Sequence, residues 1–134
     1  MIVKIDHIGI MVADLEAALR FYTETLGLSA GPIETRDEPP MRRCCIRVAD
    51  AELELIEARD REQTMMRYLP HRASGVYHVG LRVADVDAET NRLREQGVPL
   101  VGDTREGSGM RIQYLHPDAA HGLLIELVTR KKPD

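Results

Sequence analysis

The sequence predicts an α+β fold of two tandem βαβββ modules forming a curved mixed sheet around a central cleft. Three observations carry that expectation. Ile5-Asp6-His7-Ile8-Gly9-Ile10-Met11-Val12-Ala13-Asp14 returns as Val76-Tyr77-His78-Val79-Gly80-Leu81-Arg82-Val83-Ala84-Asp85, with His, Gly, Val, Ala and Asp in register. Leu53-Glu54-Leu55-Ile56 returns in the same way as Ile125-Glu126-Leu127-Val128. Each half also runs from a strand pattern through a capped helix pattern to further strand patterns. The chain therefore reads as a duplication, with modules at residues 1–58 and 75–134 and a helical connector at 59–74.

The elements follow in order. Residues 2–11 alternate as a strand. Asp14 is a good N-cap, and Leu15, Ala18, Leu19, Tyr22 and Leu26 recur at helical spacing until Gly27 stops the helix. From Leu28 to Pro40 the chain is charged and broken by Gly and Pro, which predicts a short strand and a loop near Asp37-Glu38-Pro39-Pro40. Met41 to Val48 and Glu52 to Ala58 read as a hairpin turning at Ala49-Asp50-Ala51. Asp60 and Gln63 have the spacing of a capping box, which predicts a connector helix ending before Pro70, with Met65, Met66, Tyr68 and Leu69 as packing residues. The second half repeats the plan with a strand at Val76 to Val83, Asp85 as N-cap, a helix to Gln96, and Gly97 as its stop. A short strand at Val98 to Val101 precedes Asp103 to Gly109, the most loop-like segment, which reads either as a lid or as a plain turn. Strands at Met110 to Leu115 and Leu123 to Thr129 flank His116-Pro117-Asp118, and the tail from Arg130 is expected to fray.

At 134 residues the chain suits one domain or two very small halves sharing a core. A net charge of -4 with 30% charged residues gives no general affinity for nucleic acid or membrane. No apolar run approaches the roughly 20 residues that span a bilayer, and the N-terminus lacks secretory features, so the expectation is a cytoplasmic protein. Cys44 and Cys45 are adjacent and have no other cysteine to pair with, so both read as free thiols.

Strand alternation indicates where the polar residues of the repeat point. Ile8, Ile10 and Val12 share a face that excludes His7, and Val79, Leu81 and Val83 share one that excludes His78. Leu53 and Leu55 oppose Glu54 in the same manner, as Ile125 and Leu127 oppose Glu126. A single histidine in an apolar strand is more often a hydrogen-bonded core residue, and a single glutamate there is usually the wet face of a half-buried strand. Four residues of ligand type at equivalent positions of a duplicated unit point instead to one metal centre built from His7, Glu54, His78 and Glu126. Mixed nitrogen and oxygen donors suit cobalt, manganese, nickel, zinc or ferrous iron.

This His, Glu, His, Glu order on a paired architecture resembles the vicinal oxygen chelate superfamily, and within it the methylmalonyl-CoA epimerase family. The carrying stretches are Ile5 to Ile10, Glu52 to Glu57, Gly75 to Val79, Gly97 to Leu100, and Leu115-His116-Pro117 with Gly122 to Leu127. The resemblance covers nearly the whole chain. It implies that His7, Glu54, His78 and Glu126 hold one divalent ion, that Glu126 and Glu54 carry the proton at the α-carbon of a 2-methyl-branched acyl-CoA, and that the protein is a homodimer. Such a thioester has an anionic handle, for which Arg82, Arg105 and Arg111 are the candidate contacts.

Two departures stand out. Tyr77 occupies the place where epimerases commonly carry a second histidine, and the strand entered by Met41-Arg42-Arg43 offers no extra glutamate as a separate base. Three other readings share the fold: a glyoxalase-type isomerase acting on a thiol hemithioacetal, a ferrous dioxygenase, and a metal-free dimer that sequesters small molecules. The dioxygenase would leave Glu54 redundant. The last usually lines its cleft with aromatics, and this chain has no Trp, one Phe and four Tyr.

Overall fold

Each helix of the fold is opened by an aspartate. Asp14 has an extended backbone and accepts the Ala17 N–H on Oδ1 at 3.1 Å, starting α1 (Leu15–Arg20). Asp85 accepts the Ala88 N–H at 3.1 Å and starts α2 (Val86–Glu95). The first residue of each helix is also fastened to a strand. The Leu15 N–H donates to Glu57 Oε2 at 2.8 Å and the Val86 N–H to Thr129 Oγ1 at 3.2 Å, each acceptor lying three residues beyond a repeated glutamate. After Arg20 the first helix widens into a π-helical turn, Phe21–Thr25, where Thr23 Oγ1 donates to the Leu19 carbonyl at 2.8 Å and competes with the regular ladder. Gly27 and Gly97, at φ 75° and 76°, end the two helical segments in the left-handed conformation that glycine adopts without strain.

The computed structural model describes residues 1–69, 74–107 and 109–131. Its strands are β1 (Ile2–Met11), β2 (Glu34–Asp37), β3 (Pro40–Val48), β4 (Ala51–Ala58), β5 (Gly75–Val83), β6 (Leu100–Gly107), β7 (Met110–Leu115) and β8 (Ile125–Arg130). With two α-helices among the described residues, the class is α+β and the order of strands and α-helices is βαβββ followed by βαβββ. The chain divides into two compact units, one of residues 1–6 with those from His78 onward, the other His7–Tyr77. The division cuts β1 between Asp6 and His7.

In the His7–Tyr77 unit the strand order is β2-β3-β4-β1, with β1 parallel to β4 and the other pairs antiparallel. The core lies under α1, where Leu15, Cys44, Ile46 and Leu55 are buried and Ile10, Leu19 and Tyr22 pack against them. In the other unit the order is β5-β8-β7-β6, again with one parallel pair, β5 with β8. Val83, Val86, Leu115 and Leu127 form its core under α2, flanked by Leu81, Leu93 and Leu100. Burying an aliphatic side chain of this size contributes roughly 1.5–3 kcal/mol.

Two segments differ from the sequence expectation. The connector is not one α-helix: it holds two short 3₁₀ turns, Arg61–Gln63 and Met65–Tyr68, with Thr64 Oγ1 capping the second at Met66 N–H, 3.1 Å. Each capping residue takes up the N–H groups two residues on, which favours tight turns over a continuous helix. The segment expected as a loop, 103–109, is strand as far as Gly107, pairing with β7 after a bulge between Val101 and Arg105. Buried Gln113 holds that bulge, donating through Nε2 to the Val101 and Gly102 carbonyls at 3.2 and 3.1 Å and accepting Thr104 Oγ1 at 2.9 Å. Pro70, Ser108 and the last three residues of the tail lie outside the described residues. Among those described, no helix is long and apolar enough to cross a membrane.

Candidate active site

The parallel strand pair of each unit places one imidazole and one carboxylate on the same face. In the His7–Tyr77 unit, Gly9 is the register partner of Glu54. Register partners share a face and alternate residues return to it, so His7 stands on the Glu54 side of the sheet, away from the face that packs on α1. In the other unit Gly80 is the register partner of Glu126, and His78 stands two residues before it. The repeat therefore preserves a His-x-Gly strand lying parallel to a glutamate strand.

These polar side chains are buried. His7 is 3% exposed, His78 2%, Glu54 9% and Glu126 3%. Putting a carboxylate where water cannot reach it costs several kcal/mol unless a partner compensates. His78 Nε2 lies 3.6 Å from Glu126 Oε2, too long for a hydrogen bond but close enough for both atoms to serve one cation. The Tyr114 ring, on the strand residue opposite Glu126, meets the His78 ring edge-on, with centroids 6.3 Å apart. Arg105 lies over the other part of this wall, its guanidinium carbon 5.2 Å from the Tyr114 ring centroid.

Glu54 is compensated differently. Arg43 Nη1 donates to Glu54 Oε2 at 2.9 Å, while Arg43 Nε donates to Glu34 at 2.9 Å. Burial disfavours the Arg43 charge, but Glu54 and Glu34 outweigh that and hold its pKa above the ordinary guanidinium value. Cys45 is the antiparallel partner of Glu54, and burial, reinforced by the Glu54 and Glu52 carboxylates, pushes its thiol up to about 12.

The three arginines singled out from the sequence have separate surroundings. Arg105 faces the Tyr114 wall as described. Arg82 lies on the His78 face, with its guanidinium on Asp6 Oδ1 at 2.8 Å from Nε. Arg111 turns toward α2, donating to both Asp87 oxygens at 2.8 and 2.7 Å. Its register partner is Thr129, on the opposite face from Glu126. Sequence reasoning did not single out Arg43, Tyr114 or Arg130. Arg130 lies four residues after Glu126, hence on the same strand face, and that parity was the available signal. For Arg43 and Tyr114 the pairing register was needed as well.

Residues 6–114 match the model of the glyoxalase/bleomycin resistance protein/dioxygenase superfamily. An ethylmalonyl-CoA/methylmalonyl-CoA epimerase of Cereibacter sphaeroides is 30% identical over 95% of this chain and 98% of its own. Methylmalonyl-CoA epimerase from Mycobacterium tuberculosis has a solved structure that superposes with a TM-score of 0.85 at 37% identity, covering 98% of this chain and 90% of that one. A Streptomyces coelicolor methylmalonyl-CoA epimerase variant in complex with 2-nitronate-propionyl-CoA superposes with a TM-score of 0.86 at 34% identity, over 98% of this chain and all of that one, 100%.

Proposed function

The chain belongs to the glyoxalase/bleomycin resistance protein/dioxygenase superfamily, and from that premise we propose that it is a metal-dependent epimerase inverting the α-carbon of a 2-methyl-branched acyl-CoA, methylmalonyl-CoA being the first candidate. The observation that carries this reading is the buried His78 and Glu126 pair, held 3.6 Å apart. Stability alone gives no reason to keep that pair dry. Full-length similarity to acyl-CoA epimerases supports the substrate class.

His7, Glu54, His78 and Glu126 are the residues that would hold the ion. Two imidazoles and two carboxylates fit a divalent cation of the cobalt, manganese, nickel, zinc or ferrous type. When bound, such an ion supplies electrophilic stabilisation at the thioester oxygen where enolate charge develops. Without that help, a carboxylate of ordinary pKa, about 4, is a weak base for an α-proton.

The chain's own residues do the rest. Inversion needs a proton removed from one side of the carbon and another delivered to the opposite side. Glu126 and Glu54 are the two acids available for this, one from each module. The guanidinium of Arg105, supported on Tyr114, is the contact for the anionic handle of the thioester. Burial around His78 and Glu126 excludes water that would otherwise compete for the proton. A homodimer is the proposed assembly, supported by exposed Ile2, Val3 and Ile5, which are 53%, 64% and 50% accessible. Two free thiols agree with a reducing, cytoplasmic setting.

The test is elemental analysis of the purified protein, followed by exchange of the α-proton of methylmalonyl-CoA for deuterium in deuterated water. The expected result is one equivalent of divalent metal and exchange that a chelator abolishes. Exchange on a glutathione hemithioacetal with none on the acyl-CoA would overturn this reading in favour of a glyoxalase.

A further inference from the structure

The duplication makes Glu54 and Glu126 equivalent in topology, yet their neighbours differ. Two residues before the antiparallel partner of each glutamate stands a side chain on the same face. For Glu54, whose partner is Cys45, it is Arg43; for Glu126, whose partner is Tyr114, it is Ile112. One acid is met by a guanidinium and the other by an aliphatic group. Arg43 and Glu54 side chains are only 12% and 11% exposed, so their contact is shielded from water in a way that surface pairs are not. Arg43 is itself braced by Glu34, its register partner on β2, which is 54% exposed.

We propose that Arg43 is a positioning residue of the metal centre: it ties up Glu54 Oε2, so Glu54 meets a divalent cation through Oε1 alone and with its charge partly offset. This rests on Glu54 being a ligand, as proposed above. A divalent ion with two imidazoles and two carboxylates is formally neutral. Adding the Arg43 guanidinium leaves the assembly positive, which favours an anionic substrate oxygen over neutral water. The repeat thus yields one carboxylate, Glu54, that must let go of Arg43 or of the ion before it can carry a proton, and one, Glu126, that meets Ile112 at the equivalent place.

The experiment titrates chelator-stripped protein with cobalt(II) alone, following heat and the visible spectrum. Arg43→Met is expected to bind cobalt more tightly, at least about tenfold, because removing a unit charge a few ångströms from a divalent ion changes its binding by that much even at the dielectric of water. Its spectrum should shift, because both Glu54 oxygens become available to the ion. Glu34→Gln removes the competing acid and is expected to weaken cobalt binding a few-fold, by leaving Arg43 wholly to Glu54. Opposite signs in the two variants separate this effect from general damage to the fold. Unchanged or weaker binding in Arg43→Met with an unaltered spectrum would overturn the inference. Should Arg43→Met not fold, tighter or unchanged binding in Glu34→Gln overturns it instead. If the parent protein takes up no cation, the metal reading and this inference fall together; if the parent binds and both variants match it, only the inference falls.

Discussion

Asp6 and Arg130, near opposite ends of the chain, share two hydrogen bonds, from Arg130 Nε at 2.9 Å and Nη2 at 2.8 Å. Arg82 donates to the same carboxylate, and the Asp6 side chain is 0% exposed. One buried acid therefore fastens β1 to two later strands of its unit. Asp6→Ala would remove the carboxylate shared by two arginines that are themselves 18% and 23% exposed, at a cost of about 1.5–3 kcal/mol. Urea unfolding monitored by circular dichroism should show a lower midpoint with an unchanged slope. A loss under about 1 kcal/mol, within the range of ordinary surface pairs, would mean that Asp6 is not the fastening point.

Glu126→Gln keeps the shape of the side chain and removes its capacity to take a proton. Deuterium exchange at the α-carbon of methylmalonyl-CoA should fall by about 10²–10⁴-fold. His78→Ala should instead lose the ion, visible as metal content below that of the parent. Wild-type exchange in Glu126→Gln would remove Glu126 from the proton path.

Acid should weaken the fold in a defined window. The Arg42 guanidinium, hydrogen-bonded to Glu16, lowers that carboxyl from 4.5 to about 2, and Arg92 does the same for Glu89. A folded-state pKa below the unfolded one gives stability that is present above pH 4.5 and is lost as pH falls toward about 2. In Arg42→Met the Glu16 share disappears, so the urea midpoint should vary less between those limits than in the parent. Equal pH profiles for the two proteins would count against the Arg42 contact in solution.

The thiols should be sluggish. Burial raises the pKa of Cys44, and burial with neighbouring carboxylates carries Cys45 to about 12, so little thiolate exists near neutrality. Ellman's reagent at pH 8 should react slowly with native protein and quickly with two thiols after denaturation. Rapid modification of the native protein would show that Cys45 is more accessible than its surroundings on β3 imply.

Much of this architecture was legible in the sequence, because its signals are local. Asp14 and Asp85 announce their helices, Gly27 and Gly97 end them, and the repeated His-x-Gly and apolar-Glu-Leu patterns indicate which face each polar side chain uses. What escaped depends on pairing across the sheet. The glycines at 107 and 109 suggested a loop, whereas β7 and the Gln113 amide hold the segment as far as Gly107 as a bulged strand. Arg111 flanks the segment in sequence, but strand parity turns it to Asp87 on α2. Arg43 gave no local sign of its role, since Glu34 and Glu54 reach it only once β2, β3 and β4 are aligned.

The split of β1 between the two units limits how its length can change. Neighbouring residues serve different masters there: Asp6 anchors one unit and His7 belongs to the next. Inserting or deleting one amino acid between Asp6 and the end of β1 would reverse the in-and-out order of one part of the strand against the other, so either the anchor or the imidazole would be misplaced. Replacing Asp6 or His7 singly removes one of the two, whereas a change in the length of the strand puts one of them out of place without altering either residue.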